Sequence, residues 1–218
     1  MIDLFDDPVG YFSRLILLIP ALLVAVTVHE FAHAFLADRL GDPTPRRLGR
    51  LTLNPLPHID PLGAIAFILT HFGWAKPVPV NAHNLRHPGR DMAWVAAAGP
   101  LANFTAAFLT LVVLGQLERL DSSAPALMPE ILRVVLIRIY EFNLALGIFN
   151  LIPLPPLDGG QFLPYLLPGA SRNFIYQLEQ VGPFLLILLL LSGATRYVVQ
   201  PVFNVVSAFY LSIVRLVI

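Results

Sequence analysis

The sequence predicts an all-α, polytopic membrane protein with five to six transmembrane helices and a re-entrant or short extended element after the first helix. Apolar residues make up 56% of the 218-residue chain and charged residues only 13%, whereas soluble domains contain about 25% charged residues. Several apolar stretches approach the roughly 20 residues that a spanning helix needs. A soluble domain of this size could not bury so much apolar surface, so we expect the chain in lipid.

Five stretches have the length and apolarity of spanning helices, or nearly so. By residue number they are 12–38, 92–117, 131–154, 173–195 and 197–214. A sixth stretch, residues 59–74, is shorter and contains Pro61, Gly63 and Gly73, so we expect it to dip into the membrane and return. We expect residues 1–218 to form one membrane-embedded domain, with a core at about residues 12–165 and C-terminal helices at about residues 173–218.

Composition also limits the chemistry that the chain can perform. It has no cysteine and a formal net charge of zero. Disulfides and thiolate metal ligands are therefore excluded, and no basic excess indicates a nucleic-acid partner. Any metal ion must be bound by histidine, aspartate or glutamate side chains.

A metal-binding pattern lies within the first apolar stretch. His29, Glu30 and His33 form an H-E-x-x-H sequence, and the spacing i, i+4 puts both imidazoles on one helix face, where they can bind one metal ion. Glu30 is placed to take a proton from water at the metal rather than to bind the metal. The alternative is a polar helix end whose side chains reach the membrane surface. It is disfavoured because residues 35–37 continue the apolar run, and a charge at mid-membrane costs about 2.5 kcal/mol or more.

A catalytic zinc site needs three protein ligands and an open fourth position. The third ligand must be a distant His, Asp or Glu, and the outstanding candidate is Asp158, in the sequence N-L-I-P-L-P-P-L-D-G-G at residues 150–160. Prolines unwind the backbone there at the end of an apolar helix, so the freed carbonyl and amide groups must face protein or a water-filled cavity. Taken alone, the segment could also be an ordinary helix stop followed by a turn.

Together these motifs resemble the intramembrane site-2 protease family, in a minimal form without a PDZ domain. The resemblance extends to Gly99-Pro100-Leu101-Ala102-Asn103, a G-P-x-x-N element on the intervening helix. It covers most of residues 15–165, because three separated motifs occur in the order found in that family.

The resemblance implies a zinc-dependent intramembrane endopeptidase that hydrolyses peptide bonds within or near transmembrane segments of membrane-protein substrates. It implies one Zn²⁺ per chain, bound by His29, His33 and Asp158. Glu30 would be the general base, and Asn150 would contact the substrate carbonyl or its oxyanion. The expected partners are a transmembrane protein or peptide and the lipid bilayer, with no nucleic acid.

The charges of the loops predict an orientation in the cell membrane. If a metal ion joins residues 12–38 to Asp158, the helices that carry these ligands must run parallel, with one span between them. Residues 39–91 then lie on the metal side. They contain seven basic residues: Arg39, Arg46, Arg47, Arg50, Lys76, Arg86 and Arg90. Basic loops favour the cytoplasm, so we expect the site to open towards the cytoplasm.

Other features allow less specific predictions. The proline-stiffened residues 76–81 are extended and offer either an edge for a substrate strand or a simple connection. Asn103, on an apolar helix, is expected to support helix packing or the active-site backbone. Four further histidines are expected to be solvated loop residues: His58, His71, His83 and His87.

Two alternative functions follow from the same residues. A transporter or channel could use intramembrane histidine and aspartate as an ion pathway. A homologue that does not cleave could instead bind transmembrane partners. Replacing Glu30 with Gln separates these functions, because a protease would keep its zinc and lose cleavage.

Overall fold

The computed structural model describes residues 7–70, 73–123, 128–166 and 171–217. Within these ranges it contains eight α-helices: α1 (Pro8–Arg39), α2 (Thr44–Arg47), α3 (Pro61–Thr70), α4 (Pro88–Ser123), α5 (Glu130–Asn150), α6 (Leu163–Leu166), α7 (Arg172–Leu191) and α8 (Thr195–Val217). Short 3-10 turns occupy Leu56–His58, Ala82–Asn84 and Asp158–Phe162. The same ranges contain no β-strand, so the predicted all-α class is confirmed.

Four helices are long and apolar enough to cross a membrane. They are Val9–Arg39, Pro88–Asp121, Asn173–Leu191 and Thr195–Leu216. The remaining predicted span corresponds to α5, which has 21 residues but carries four charged ones: Glu130, Arg133, Arg138 and Glu141. The described part of the chain therefore has four candidate spans, slightly below the five to six predicted, because α5 is too highly charged to qualify.

One face of α1 forms a stripe of closely packed side chains. Ala21, Ala25 and Ala37 have no exposed surface, and His29 and His33 lie on the same stripe at a spacing of four residues, 6% and 8% exposed. Small side chains allow helix backbones to approach closely. Both α4 and α5 pack against α1, so the H-E-x-x-H histidines face protein rather than lipid.

The contacts between α1 and α4 show that these helices are antiparallel. Val95, early in α4, meets His33, whereas Asn103, two turns later, meets the carbonyl of Ala25. Moving forwards along α4 therefore corresponds to moving backwards along α1.

The contacts between α4 and α5 are also antiparallel, so α5 runs parallel to α1 as the topology predicts. Asn143 contacts Asn103, and one turn later Gly147 packs so closely that a Cβ would lie 3.2 Å from the carbonyl oxygen of Pro100. A hydrophobic cluster formed mainly by α4, α5 and α8 continues this interface: Ala107, Leu111, Leu114, Met128, Tyr140, Leu144, Ile148 and Val214.

The segment around α3 leaves the loop region and returns to it. Ile59 and Ala75 form an isolated antiparallel bridge, and the N–H of Lys76 donates to the carbonyl oxygen of His58 at 2.9 Å. The ten residues of α3 extend about 15 Å, half the thickness of a hydrocarbon core of about 30 Å. The two ends of residues 59–74 thus lie side by side, as predicted for a segment that dips and returns.

The C-terminal helices pack more loosely on the outside of this bundle. Helix α7 contacts the loop after α5 at Gly182, where a Cβ would collide with the carbonyl of Pro155. The α8 helix is joined to α5 by a hydrogen bond of 2.7 Å from Tyr140 Oη to Ser207 Oγ. Most large apolar side chains of α7 and α8 are exposed in the protein, which suits helices that face lipid.

Candidate metal centre

The structure brings the predicted metal ligands together. His29 and His33 extend from the buried stripe of α1, and their Nε2 atoms lie 3.0 Å apart. Asp158 approaches from the segment after α5, with Oδ2 at 3.1 Å from Nε2 of His29 and 3.4 Å from Nε2 of His33. Residues separated by more than 120 positions in sequence thus meet at one point.

These distances fit a single metal ion. Zinc at about 2.0–2.2 Å from each of its ligands in a tetrahedral site holds the ligand atoms about 3.3 Å apart. His29, His33 and Asp158 form the group of metal-ligating side chains found within the described residues. The Oδ2 atom of Asp158 is buried and makes no hydrogen bond to any described residue. Such an unsatisfied carboxylate oxygen, facing two imidazole nitrogens, is suited to a cation.

The segment that presents Asp158 is compact because its glycines admit no side chain. After α5 ends, the N–H of Leu157 donates to the carbonyl oxygen of Leu154 at 2.9 Å, and the N–H of Gly160 donates to that of Leu157 at 2.9 Å. A Cβ on Gly159 would collide with the carbonyl of Ile152. The D-G-G sequence therefore allows the chain to fold back and return the carboxylate to α1.

A hydrogen-bonded asparagine pair orients the His29 imidazole. Asn103 Nδ2 donates to the carbonyl oxygen of Ala25 and to Oδ1 of Asn143, each at 2.9 Å. Since both amide hydrogens are used, Oδ1 is the atom that faces Nδ1 of His29, at 2.6 Å. The Nδ1 atom must then carry the hydrogen, which leaves the Nε2 lone pair free for a metal ion.

The second imidazole is oriented by the backbone of α4. Nδ1 of His33 donates to the carbonyl oxygen of Val95 at 2.7 Å, so its Nε2 also presents a lone pair. Gly99 lies against both rings, and a Cβ there would collide with His33 and lie 2.7 Å from Cε1 of His29. The G-P-x-x-N element thus provides both space for the imidazoles and an acceptor for one of them.

Glu30 lies on a different side of α1 from the two histidines and is held by a loop. It is 7% exposed, and its Oε2 accepts a hydrogen bond of 3.0 Å from the N–H of Val78. Val78 belongs to the extended residues 76–81. Glu30 therefore follows a metal ligand in the sequence but is not one of the three clustered metal ligands, as expected for a general base.

Asn150 is not part of the converging group. It lies at the end of α5, partly buried, and its Nδ2 donates to the carbonyl oxygen of Leu146 at 3.1 Å in its own helix. The second hydrogen of this amide has no partner among the described residues. A substrate contact by Asn150 stays a prediction.

One histidine prediction is wrong and two are confirmed. His58 has no exposed surface, because Arg50 and the carbonyl of Thr52 lie against its ring. His83 and His87 are exposed loop residues as expected. His71 lies outside the described residues.

The sequence interpretation missed several contributors to the site. Asn143 and the carbonyl of Val95 were not identified, and Asn103 was expected only to support packing or backbone. A lone asparagine on the apolar part of a helix is a signal that could have identified Asn143, because such an amide needs a partner. The Val95 carbonyl and the Val78 amide are backbone groups, and no side-chain pattern marks them.

Known proteins resemble the chain over most of its length. The profile of Peptidase family M50 matches residues 123–192. The chain is 36% identical over 187 residues to the Bacillus subtilis protein named "Putative zinc metalloprotease YwhC", with 86% of this chain and 85% of that protein covered. It is 31% identical over 194 residues to "Putative zinc metalloprotease Rip2" of Mycolicibacterium smegmatis, with 86% and 71% covered. No solved structure matches it.

Apolar helices, a convergent His-His-Asp group and these relatives define a multi-pass membrane metalloprotease. The chain belongs to Peptidase family M50, the site-2 protease family. Membership implies a Zn²⁺ cofactor, and the spacing and tautomers of the site are compatible with that ion.

Proposed function

We propose that the chain is a zinc-dependent intramembrane endopeptidase that cleaves peptide bonds within or near transmembrane segments of membrane proteins. The observation that carries the proposal is the meeting of Asp158 with His29 and His33 on the apolar helix α1, which also bears Glu30. Ionisable groups buried among apolar helices are costly and indicate function. In this proposal residues 1–218 form one catalytic domain, with its core at about residues 12–165 and C-terminal helices at about residues 173–218.

Each polar side chain has a role in this proposal. His29, His33 and Asp158 hold the zinc, which when bound polarises the scissile carbonyl and lowers the pKa of a water molecule to about 7. Glu30 accepts the proton of the attacking water and delivers it to the leaving amine. The remaining amide hydrogen of Asn150 donates to the oxygen on which negative charge develops.

The proposed orientation puts the site at the cytoplasmic side of the cell membrane. Asp158 follows the end of α5, and the two histidines lie near the end of α1, so both ligand sets occupy the same end of parallel helices. Residues 39–91 connect that end of α1 to the start of α4 and carry seven of the eight basic residues in the first half of the chain. The positive-inside rule supports a cytoplasmic position for such a loop.

The function is tested with a Glu30→Gln variant in lipid nanodiscs. Wild-type protein should cleave a transmembrane peptide substrate, and the variant should lose at least 100-fold in kcat, which is the scale of general acid–base catalysis. Zinc content measured by mass spectrometry should stay at one ion per chain, since Glu30 is not a ligand. The exposed Glu179 of α7 provides a matched control, and Glu179→Gln should cleave normally.

The same proteins, reconstituted into sealed lipid vesicles, separate the competing functions. A transporter or channel would move ions across the vesicle membrane regardless of peptide cleavage, and a non-cleaving homologue would bind the peptide without product. Cleavage that persists in Glu30→Gln would refute the proposed role of Glu30.

A further inference from the structure

A buried arginine lies beside the extended residues 76–81 without contacting the metal-ligand group. Arg50 is 5% exposed. Its Nη1 donates to the carbonyl oxygen of Pro77 at 2.9 Å, and its Nη2 donates to that of Lys76. The buried Nε has no partner among the described residues, so the guanidinium is held through its two Nη atoms, which bind two successive carbonyl groups of one extended segment.

The position of Arg50 is itself supported by His58, which has no exposed surface. Nε2 of His58 faces the carbonyl oxygen of Thr52 at 2.9 Å and must carry the hydrogen of that contact. Nδ1 therefore presents its lone pair to Nη2 of Arg50, at 3.5 Å. The N–H of Lys76 also donates to the carbonyl oxygen of His58, so the histidine contacts both the guanidinium and the segment it holds.

The held segment ends at the proposed general base. Val78 directly follows Pro77, and its N–H donates to Oε2 of Glu30 at 3.0 Å. Burial lowers the pKa of the Arg50 guanidinium, and the negative charge of Glu30 opposes that change. Arginine stays charged in proteins, so Arg50 also brings positive charge near the Glu30 carboxylate.

We propose that Arg50 is a positioning residue for Glu30, acting through the extended residues 76–78. The guanidinium fixes the carbonyl groups of Lys76 and Pro77, and the fixed backbone sets where the Val78 N–H holds the Glu30 carboxylate. The proposal rests on the proposed function, because it assigns Glu30 to proton transfer. It goes beyond the motif residues, since Arg50 lies in the connection between α2 and α3 and touches no metal ligand in the described structure.

The distinction between positioning and substrate binding lies in the kinetic constants. A displacement of about 1 Å in a catalytic group can lower the rate about 100-fold. Arg50→Met should therefore lower kcat about 100-fold while KM changes less than about threefold. Arg50→Lys retains a charged donor and should recover part of kcat. Zinc content should stay at one ion per chain in both variants, because Arg50 is separate from the metal ligands.

A second variant tests the same connection without altering Arg50. Val78→Pro removes the N–H that Glu30 accepts and keeps the extended backbone that its neighbours Pro77 and Pro79 favour. It should lose kcat as Arg50→Met does. Val80→Pro is the matched control, because the Val80 N–H donates to no described residue, and it should keep wild-type kcat.

Hydrogen exchange supplies a readout that does not depend on cleavage. Pro77 and Pro79 have no amide hydrogen, so a peptide covering residues 77–80 reports Val78 and Val80 alone. In metal-free protein one of these two amides should be protected, and Arg50→Met should remove that protection. Restored protection in Arg50→Lys would show that the guanidinium's contacts, rather than a general loss of fold, are responsible.

Two results would overturn the proposal. One is normal kcat in Arg50→Met despite loss of Val78 protection, and the other is a rise in KM alone, which would assign the segment to substrate binding. Failure of the proposed function is a separate result: Glu30→Gln would still cleave, while exchange would still report whether Arg50 holds the Val78 amide.

Discussion

The two sides of α1 differ in how their functional groups are held. His29 and His33 are fixed by groups on neighbouring long helices, namely the Asn103 amide and the Val95 carbonyl of α4. Glu30, between them in sequence, is fixed by a backbone amide of the connection between α1 and α4. Helices in the bundle are rigid over many residues, whereas a connection can adjust independently of them. The metal site and the proton-transfer group therefore depend on different parts of the molecule.

This comparison predicts different failures on the two sides, and the largest is loss of the metal itself. Asp158→Ala removes one of three ligands and leaves two imidazoles with no carboxylate between them. We expect zinc content well below one ion per chain after dialysis, with cleavage undetectable. Glu30→Gln is the matched comparison, because it should lose cleavage with zinc retained. Zinc content in Asp158→Ala equal to that of the wild type would remove Asp158 from the site.

A smaller effect is expected when an orienting group is removed and all three ligands remain. Asn103→Leu deletes the acceptor of the His29 Nδ1 hydrogen. Loss of such a partner typically lowers metal affinity about 10- to 100-fold, and competition with a chelator should show zinc binding weakened by that amount. Excess zinc should restore cleavage in part.

The control for Asn103→Leu is Gln200→Leu on α8, whose side chain is exposed and donates to Asn204 on the same helix. It should bind zinc like the wild type. Equal zinc affinity in Asn103→Leu and the wild type would show that α4 packing alone orients His29.

The contrast also explains how much could be predicted from the sequence. The H-E-x-x-H histidines and Asp158 were identified because each ionisable group interrupts an apolar stretch at a spacing that suits a metal ion. The return of residues 59–74 followed from their length and glycines. These predictions depend on side-chain type, which the sequence shows directly.

What the sequence did not reveal depends on backbone geometry. Glu30 is held by the backbone amide of Val78, and His33 is held by the backbone carbonyl of Val95. Every residue type offers such a carbonyl, and all except proline offer such an amide, so the sequence does not mark these positions. The burial of His58 was missed because Pro55, Pro57 and Pro61 surround it in the sequence, and prolines at this density suggest a solvated loop. Only the folded positions of Arg50 and Thr52 show that the ring is enclosed. The four charged residues of α5 are visible in the sequence, and they account for the difference between the five to six predicted spans and the four candidate spans among the described residues.

The smallest effect on the metal site is expected at Asp42, where the loop is tied to the end of α1. Asp42 has no exposed surface, and it accepts hydrogen bonds from the N–H of Asn81 at 2.7 Å, from Nδ2 of Asn84 at 2.8 Å and from the N–H of Thr44 at 3.1 Å. Burial alone would raise the pKa of Asp42, but these bonds hold it below its ordinary value. Asp42→Asn replaces one accepting oxygen with an NH2 group that cannot accept from these N–H donors. It should lower the free energy of unfolding by about 2 kcal/mol.

The pH dependence of that contribution follows from the direction of the pKa shift. Because the pKa of Asp42 is lower in the folded than in the unfolded protein, its stabilisation is fully present above the unfolded value of about 4 and is lost as the pH falls through the folded value. Unfolding in detergent micelles between pH 7 and pH 3 should therefore show a stability gap between wild type and Asp42→Asn that narrows with acid. Zinc binding at pH 7 should be unchanged in Asp42→Asn, since this carboxylate supports only the loop side of α1. A gap that stayed constant across this range would mean that the Asp42 charge does not hold the loop.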